Sequence, residues 1–299
     1  QVDNLSVSFS MYNRGLSKRD LEVIHELSID VKKGEIVAVV GSSGSGKSLL
    51  AHAIMGILPE NSKTKGSIKY YNDELNEKYL RKVRGKDIAF IPQSVDFLDP
   101  LMKVGKQVVG INGNKEKQKE VFKKYNLDDK VAEMYPFQLS GGMARRVLIA
   151  TAVMNEAKLI IADEPTPGLN LELAMETLNN FREIADNGCG VLLITHDVDL
   201  ALNVADRIAV FYSGTIVEIA QVEDFIKGKD ALRHPYSKAF IDALPQNKFK
   251  ELPGYQPYAG NLPKGCLFRD RCSLKTDECC MEIKMRKIRD GEVRCINAT

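Results

Sequence analysis

The run Ile36-Val37-Ala38-Val39-Val40 is short, unbroken and mostly β-branched, the pattern of a strand buried on both faces of a parallel sheet. A polar turn, Val31-Lys32-Lys33-Gly34-Glu35, leads into it, and a glycine-rich stretch follows. Residues 48–55 then carry strong helix formers with apolar residues at helical spacing, so the pattern predicts strand, loop, helix. Upstream, residues 1–9 alternate like a strand, and residues 1 to about 40 read as strands and turns with little expected to precede the fold. Between about 93 and 157, lysine-rich stretches such as Asn114-Lys115-Glu116-Lys117-Gln118-Lys119 alternate with short helical patterns, which predicts a mainly helical insertion. The α/β pattern resumes with buried strands at 159–162 and 191–194 around a helix over 171–187. Residues 207–219 read as two strands about the turn Ser213-Gly214, followed by a helix over 236–244. A Pro/Gly-rich linker, 252–264, leads to a cysteine-rich tail.

Size and composition add bounds. The 299 residues suffice for one large domain and a smaller appendage, and a chain with 44% hydrophobic and 27% charged residues is ordinary for a globular protein. A net charge of only +2 gives no argument for nucleic acid as a partner, and no direct contact with it is expected. No apolar run reaches the roughly 18–20 residues that span a bilayer, and no secretory leader opens the sequence. The expected place is the cytosol, so a role at a membrane requires docking onto another subunit. Five of the six cysteines lie in the last 34 residues, which in a reducing cytosol reads as a metal or redox site rather than a disulfide framework.

The glycine-rich stretch Gly41-Ser42-Ser43-Gly44-Ser45-Gly46-Lys47-Ser48 is a complete phosphate-binding loop in the strand–loop–helix context it requires. Its glycines let successive amides turn inward around an anion, and the helix N-terminus adds a favourable partial charge. Lys47 is placed to reach the β- and γ-phosphates and the Ser48 hydroxyl suits Mg²⁺, which implies ATP with Mg²⁺. Asp163-Glu164 ends the strand 159–162, putting two carboxylates at the sheet edge where α/β folds bind ligands. Asp163 is expected on Mg²⁺, directly or through water, and Glu164 on the attacking water.

Leu139-Ser140-Gly141-Gly142-Met143 resembles the signature motif of ABC-type ATPases. Ile91-Pro92-Gln93 resembles their glutamine loop and Thr195-His196-Asp197 their histidine switch, and all these elements follow the family's order over residues 1–225. The resemblance implies an α/β phosphate-loop NTPase of ABC type. Its parallel-sheet core carries N-terminal antiparallel strands and a helical subdomain at about 93–157. It also implies catalysis by two ATPase domains face to face, each signature motif acting on the γ-phosphate held by the other. Gln93 is then expected at Mg²⁺ or the attacking water, and His196 at the γ-phosphate. Adenine is expected to stack on Phe9, with Tyr12 as the rival. In Gly168-Leu169-Asn170, the D-loop position, Asn170 stands where the family usually has aspartate, which keeps hydrogen bonding but removes charge.

Met143 in place of the commoner glutamine, together with His234-Pro235-Tyr236-Ser237-Lys238-Ala239-Phe240, narrows the resemblance to the peptide- and nickel-importer branch. ATPases of that branch carry a C-terminal extension with the pattern Gly-Cys-x-Phe-x-x-Arg-Cys, here Gly265-Cys266-Leu267-Phe268-Arg269-Asp270-Arg271-Cys272, and residues 226–299 are assigned to it. Cys266, Cys272, Cys279 and Cys295 offer four soft thiolates, enough for one closed metal site. The resemblance implies a [4Fe-4S] cluster on these four, with zinc as the alternative, although Cys-x2-Cys pairs are absent. Cys280 adjoins Cys279 and is the alternative ligand in its place, and Cys189 reads as structural. The implied role is to energise an importer of oligopeptides, dipeptides or nickel (or a metal chelate) from the cytoplasmic face of the membrane. The implied partners are a second, related ATPase subunit in a heterodimer, two membrane permeases and an extracytoplasmic substrate-binding protein. The alternative is a non-transport ABC ATPase acting on nucleic acid or ribosomes, a class that usually shows two cassettes or long coiled coils.

Overall fold

The computed structural model describes residues 1–299 except 13–16, 111–112, 245 and 248. The chain opens with β1 (Val2–Tyr12), β2 (Lys18–Ile29) and β3 (Ile36–Val40), then α1 (Lys47–Met55), β4 (Ser62–Tyr70) and β5 (Asp73–Glu74). There follow α2 (Glu77–Val83), β6 (Ile88–Ile91), α3 (Val104–Val109), α4 (Lys115–Lys124) and α5 (Gly141–Val153). Next come β7 (Leu159–Asp163), α6 (Leu171–Asp186), β8 (Gly190–Thr195), α7 (Val198–Leu202), β9 (Arg207–Tyr212) and β10 (Thr215–Gln221). The described chain ends with α8 (Val222–Ile226), α9 (Pro235–Asp242), β11 (Arg286–Ile288) and β12 (Gly291–Val293). These elements form two compact units, one of Gln1–Asp30, Val37–Leu75 and His196–Thr299, the other of Val31–Ile36 and Asn76–Thr195.

In the first unit β2, β1, β4 and β5 form an antiparallel sheet in that order. β4 is polar over residues 62–67 and turns apolar only at Ile68 and the buried Tyr70, too short a signal to announce it; its pairing with β1 makes it a strand. β3 is buried at all five positions and runs parallel to β9, as its apolar run predicts. From β9 the order continues antiparallel through β10, β12 and β11. The hairpin β11–β12 of the cysteine-rich tail thus extends the sheet beyond β10.

That junction encloses charge. Glu218 lies fully buried in the middle of β10, where its carboxylate accepts from the backbone amides of Arg233 and His234, each at 2.8 Å. The buried Arg233 guanidinium lies 3.4 Å from Glu218 and 2.8 Å from Asp224, and its Nε donates to the Ile288 carbonyl of β11 at 2.7 Å. Gly291 is required here, since a Cβ would stand 2.6 Å from the guanidinium carbon.

His234 caps α9, its Nδ1 accepting from the Tyr236 amide at 3.0 Å, and burial pushes its pKa from the ordinary 6.5 down to about 3. The ring is neutral in the native state, so the unfolded chain alone takes up its proton as pH falls below about 6.5. The stability contribution is complete above pH 6.5 and is lost progressively toward pH 3. His234→Asn keeps a capping acceptor without the titration. Its urea midpoint is expected to fall less between pH 7 and about pH 4 than that of the parent chain; parallel curves would contradict this.

In the second unit β8, β7 and β6 form a parallel sheet, β7 pairing with both others. α6 connects β7 to β8 and buries Ala174, Leu178, Phe181 and Ala185, a stripe spaced four, three and four residues apart. Between residues 93 and 157 every element among the described residues is helical. In lysine-rich α4 only Gln118 and Phe122, one turn apart, are buried, which is why the surrounding charges are tolerated. Among the described residues no helix is long and apolar enough to cross a membrane.

Candidate functional site

In the first unit, β3 delivers the chain into the loop 41–48. A Cβ on Gly41 would lie 2.5 Å from the Phe211 carbonyl oxygen of β9, so only glycine lets the loop leave the sheet at this point. Gly46, at φ +100°, begins α1 without a side-chain cap, so no side chain at the cap competes for the first-turn amides that an anion would take. Lys47 is buried, and its ammonium donates to the Gly41 and Ser42 carbonyls, both at 2.9 Å, which holds it over the loop it has to serve. The Ser42 hydroxyl donates to Gln256 Oε1 at 3.1 Å.

In the second unit, Asp163 ends β7 and Glu164 follows it; both are buried. Glu164 sits at φ +47°, a left-handed conformation that is costly for a residue with a side chain, and its amide is fixed by the Ile194 carbonyl of β8 at 2.9 Å. Arg145, on α5, is the residue that pattern reading missed. Burial lowers its pKa, while the charges of Asp163 and Glu164 oppose that shift. Its guanidinium donates to the carbonyls of Pro92, at 2.8 Å, and Gln93. One side chain thus joins the signature helix, the glutamine loop and the field of the two carboxylates. Its only signal was a second arginine next to Arg146 in an otherwise apolar helix face.

Gln93 is exposed just beyond β6, and His196 is exposed just beyond β8. Leu139 to Met143 lead into α5 as expected, but Ser140 first serves its own helix, accepting from the Met143 amide at 3.3 Å, with Gly141 and Gly142 opening the first turn. Asn170 caps α6 by accepting from the Leu173 amide at 2.9 Å, a task that asparagine and aspartate perform about equally. Phe9 is half-buried in β1 opposite Leu21, whereas Tyr12 is exposed with the Lys18 ammonium 5.1 Å from its ring centre.

The tail pattern has a packing role that cysteine counting hides. Phe268 is buried against Tyr212 and Tyr236, and Arg271 lies over the Tyr212 and Phe268 rings while donating to the Leu252 and Pro253 carbonyls at 3.0 and 2.9 Å. Burial pushes the Cys266 and Cys272 thiols up, and Cys295 up to about 11; nearby Cys279 adds to each shift. Cys266, Cys272 and Cys295 therefore each lie within electrostatic range of Cys279. Cys280 is instead exposed and accepts from Arg269 Nη1 at 3.2 Å. Yet among the described residues no group of three or more His, Cys, Asp or Glu is drawn together closely enough to hold a metal ion. The buried Cys189 donates to the Gly190 carbonyl at 3.3 Å, as a structural thiol would.

The fold and the two sets of loops define an ATPase of the phosphate-loop class. The family model described as ABC transporter matches residues 24–167, and that described as Oligopeptide/dipeptide transporter, C-terminal region, matches 217–279. The chain is similar to the dipeptide transport ATP-binding protein DppD of Haemophilus influenzae, 33% identical over 98% of this chain and 94% of that one. It is also similar to the oligopeptide transport ATP-binding protein OppD of Bacillus subtilis, 34% identical over 91% and 81%. Among solved structures, a dimeric bacterial ABC transporter cassette superposes with a TM-score of 0.66 at 26% identity, over 74% of this chain and 97% of that one. A dimeric post-hydrolysis cassette bound to ADP and Pi gives 0.65 at 25% identity, over 74% and 97%. The chain belongs to the ATP-binding subunits of ABC transporters, and it carries the C-terminal region of their oligopeptide/dipeptide branch. It is an ATPase, and ATP with Mg²⁺ fits the loop chemistry described above. A role on nucleic acid or ribosomes is not favoured.

Proposed function

We propose that this chain powers the uptake of dipeptides or oligopeptides as one half of an ATPase dimer at the cytoplasmic face of a membrane, with residues 1–225 as the ATPase and 226–299 as the extension. One observation carries the reading: a phosphate loop and an oligopeptide/dipeptide-transporter C-terminal region occur in the same chain. The loop 41–48 holds the phosphates of ATP, with Ser48, Asp163 and Gln93 around Mg²⁺, Glu164 on the attacking water and His196 on the γ-phosphate. Ser140, Gly141 and Gly142 address the ATP of a second, related ATPase subunit. Asn170 caps α6 without adding charge at the D-loop position. Two permeases and an extracytoplasmic binding protein complete the complex, and they select the cargo.

The test is reconstitution of the chain with its co-purifying subunits in vesicles, followed by uptake of labelled dipeptide, oligopeptide and nickel. ATP-dependent peptide uptake is expected. Nickel uptake without peptide uptake would move the chain to the metal-importing side of the branch, and neither would overturn the transport reading.

A second reading concerns the tail, where four cysteines offer soft thiolates within one short extension. Closing one metal site there requires the four sulfurs to draw together beyond their present spacing. Cys266, Cys272, Cys279 and Cys295 would hold a [4Fe-4S] cluster, or zinc in its place. Iron and labile sulfide at about four each per chain in anaerobically purified protein is the expected result for the cluster; absence of both iron and zinc would dismiss the site.

A further inference from the structure

The stretch 252–264 has the composition of a free linker, yet it is pinned along its length. Arg271 holds its start through the Leu252 and Pro253 carbonyls. Gln256 then takes the hydrogen bond from Ser42 of the phosphate loop, Pro257 offers its carbonyl to the Ser213 hydroxyl at 3.4 Å, and the Tyr258 phenol accepts from Arg19 Nη2 at 3.1 Å. The strap therefore crosses the mouth of the loop, bonded to it, to the β9–β10 turn and to β2.

Beneath it lies a cavity of about 270 Å³. Gly44 and Ser45 of the loop and Val23 of β2 form one side, and Gln256, Pro257 and Tyr258 form the other. That volume is just below the usual range for a whole small-molecule site, so it suits part of a ligand. Amides of the loop take the phosphates, and the portion of a nucleotide left to project from the loop is its nucleoside. Tyr258 is 62% exposed although its hydroxyl is held, so its ring is fixed in place without being used in the core. Gly260 preserves that seat, since a Cβ there would come within 2.4 Å of the ring. Gln256 spends its carbonyl on Ser42, and its amide nitrogen brings two donors suited to a ribose hydroxyl or a purine nitrogen.

We propose that the strap 256–258 is the outer wall of the nucleoside subsite, with Tyr258 as an aromatic platform for the base or ribose and Gln256 as a polar contact. This rests on the reading of loop 41–48 as the ATP site, and it makes the C-terminal extension part of nucleotide recognition.

The test compares binding of Mg-ATP and of Mg-tripolyphosphate to the full chain by calorimetry. Tyr258→Ala is expected to weaken ATP roughly 5- to 100-fold, the range of losing one aromatic–base stack, and to leave tripolyphosphate unchanged. Gly260→Ala, which displaces the ring without removing it, should shift ATP in the same direction. ATP affinity of Tyr258→Ala within twofold of the parent, or tighter, would overturn the proposal, as would equal loss of ATP and tripolyphosphate. Lys47→Ala separates the two readings. If it abolishes binding of both ligands while Tyr258→Ala changes nothing, the loop stands and the strap falls. If Lys47→Ala binds ATP normally, the loop reading fails and takes the strap with it.

Discussion

Glu164→Gln is expected to lower ATP turnover in the assembled complex roughly 10²–10⁴-fold while leaving ATP binding in place. The substitution keeps the size and shape of the side chain, removes its charge and basicity, and turns one acceptor oxygen into a donor nitrogen. The structure gives three reasons to expect a large effect. Glu164 follows directly on Asp163 at the carboxyl end of a buried strand, where the sheet presents charge to ligand. Its backbone sits at φ +47° with its amide bonded to the Ile194 carbonyl, which fixes where the side chain leaves the strand end. The buried Arg145 stands in the field of both carboxylates, which keeps a compensating charge near the site. Steady-state phosphate release measured beside equilibrium ATP binding separates the roles: unchanged hydrolysis would remove Glu164 as the base, and lost binding would make it structural.

Glu218→Ala is expected to cost about 3–5 kcal/mol of stability, measured from the urea midpoint and slope. Removing the carboxylate leaves the Arg233 guanidinium short of one partner in a buried setting, and it also strips acceptors from the two backbone amides that Glu218 now serves. Asp224 retains its bond to Arg233, which keeps the loss from being larger. The double variant Glu218→Leu with Arg233→Met, which removes both charges, is expected to recover much of the loss, because desolvation and attraction nearly balance in buried pairs. A single-variant loss below about 1 kcal/mol would mean that water already reaches the network. Since Arg233 also holds β11, the same variant should loosen the tail hairpin first, detectable as faster amide exchange over residues 286–293.

Much of this molecule was legible from local pattern. Ile36–Val40, the helix over residues 171–187 and the strand pair about Ser213-Gly214 emerge with boundaries shifted by only a residue or two. Their signals are short-range: continuous burial, a stripe at helical spacing, a turn at Gly214 with φ +90°. β4 was not legible, because its stability comes from pairing with β1 rather than from its own polar residues. Ser140 was read for what it offers a distant phosphate and Asn170 for the charge it lacks at the D-loop position, while the structure shows each first completing its own helix.

The sequence by itself determined the phosphate loop, the carboxylate pair that ends β7 and the family, because these depend on residue type at fixed spacing along one continuous segment. Tertiary structure decided the rest. It brought Gln256 to Ser42 across 214 residues of chain, set Arg233 against Glu218, and made Arg145 the tie between the signature helix and the glutamine loop. It paired β12 of the cysteine tail with β10 at the edge of the sheet. Such contacts come from the packing of segments far apart in sequence, where no period or spacing records which side chains will meet.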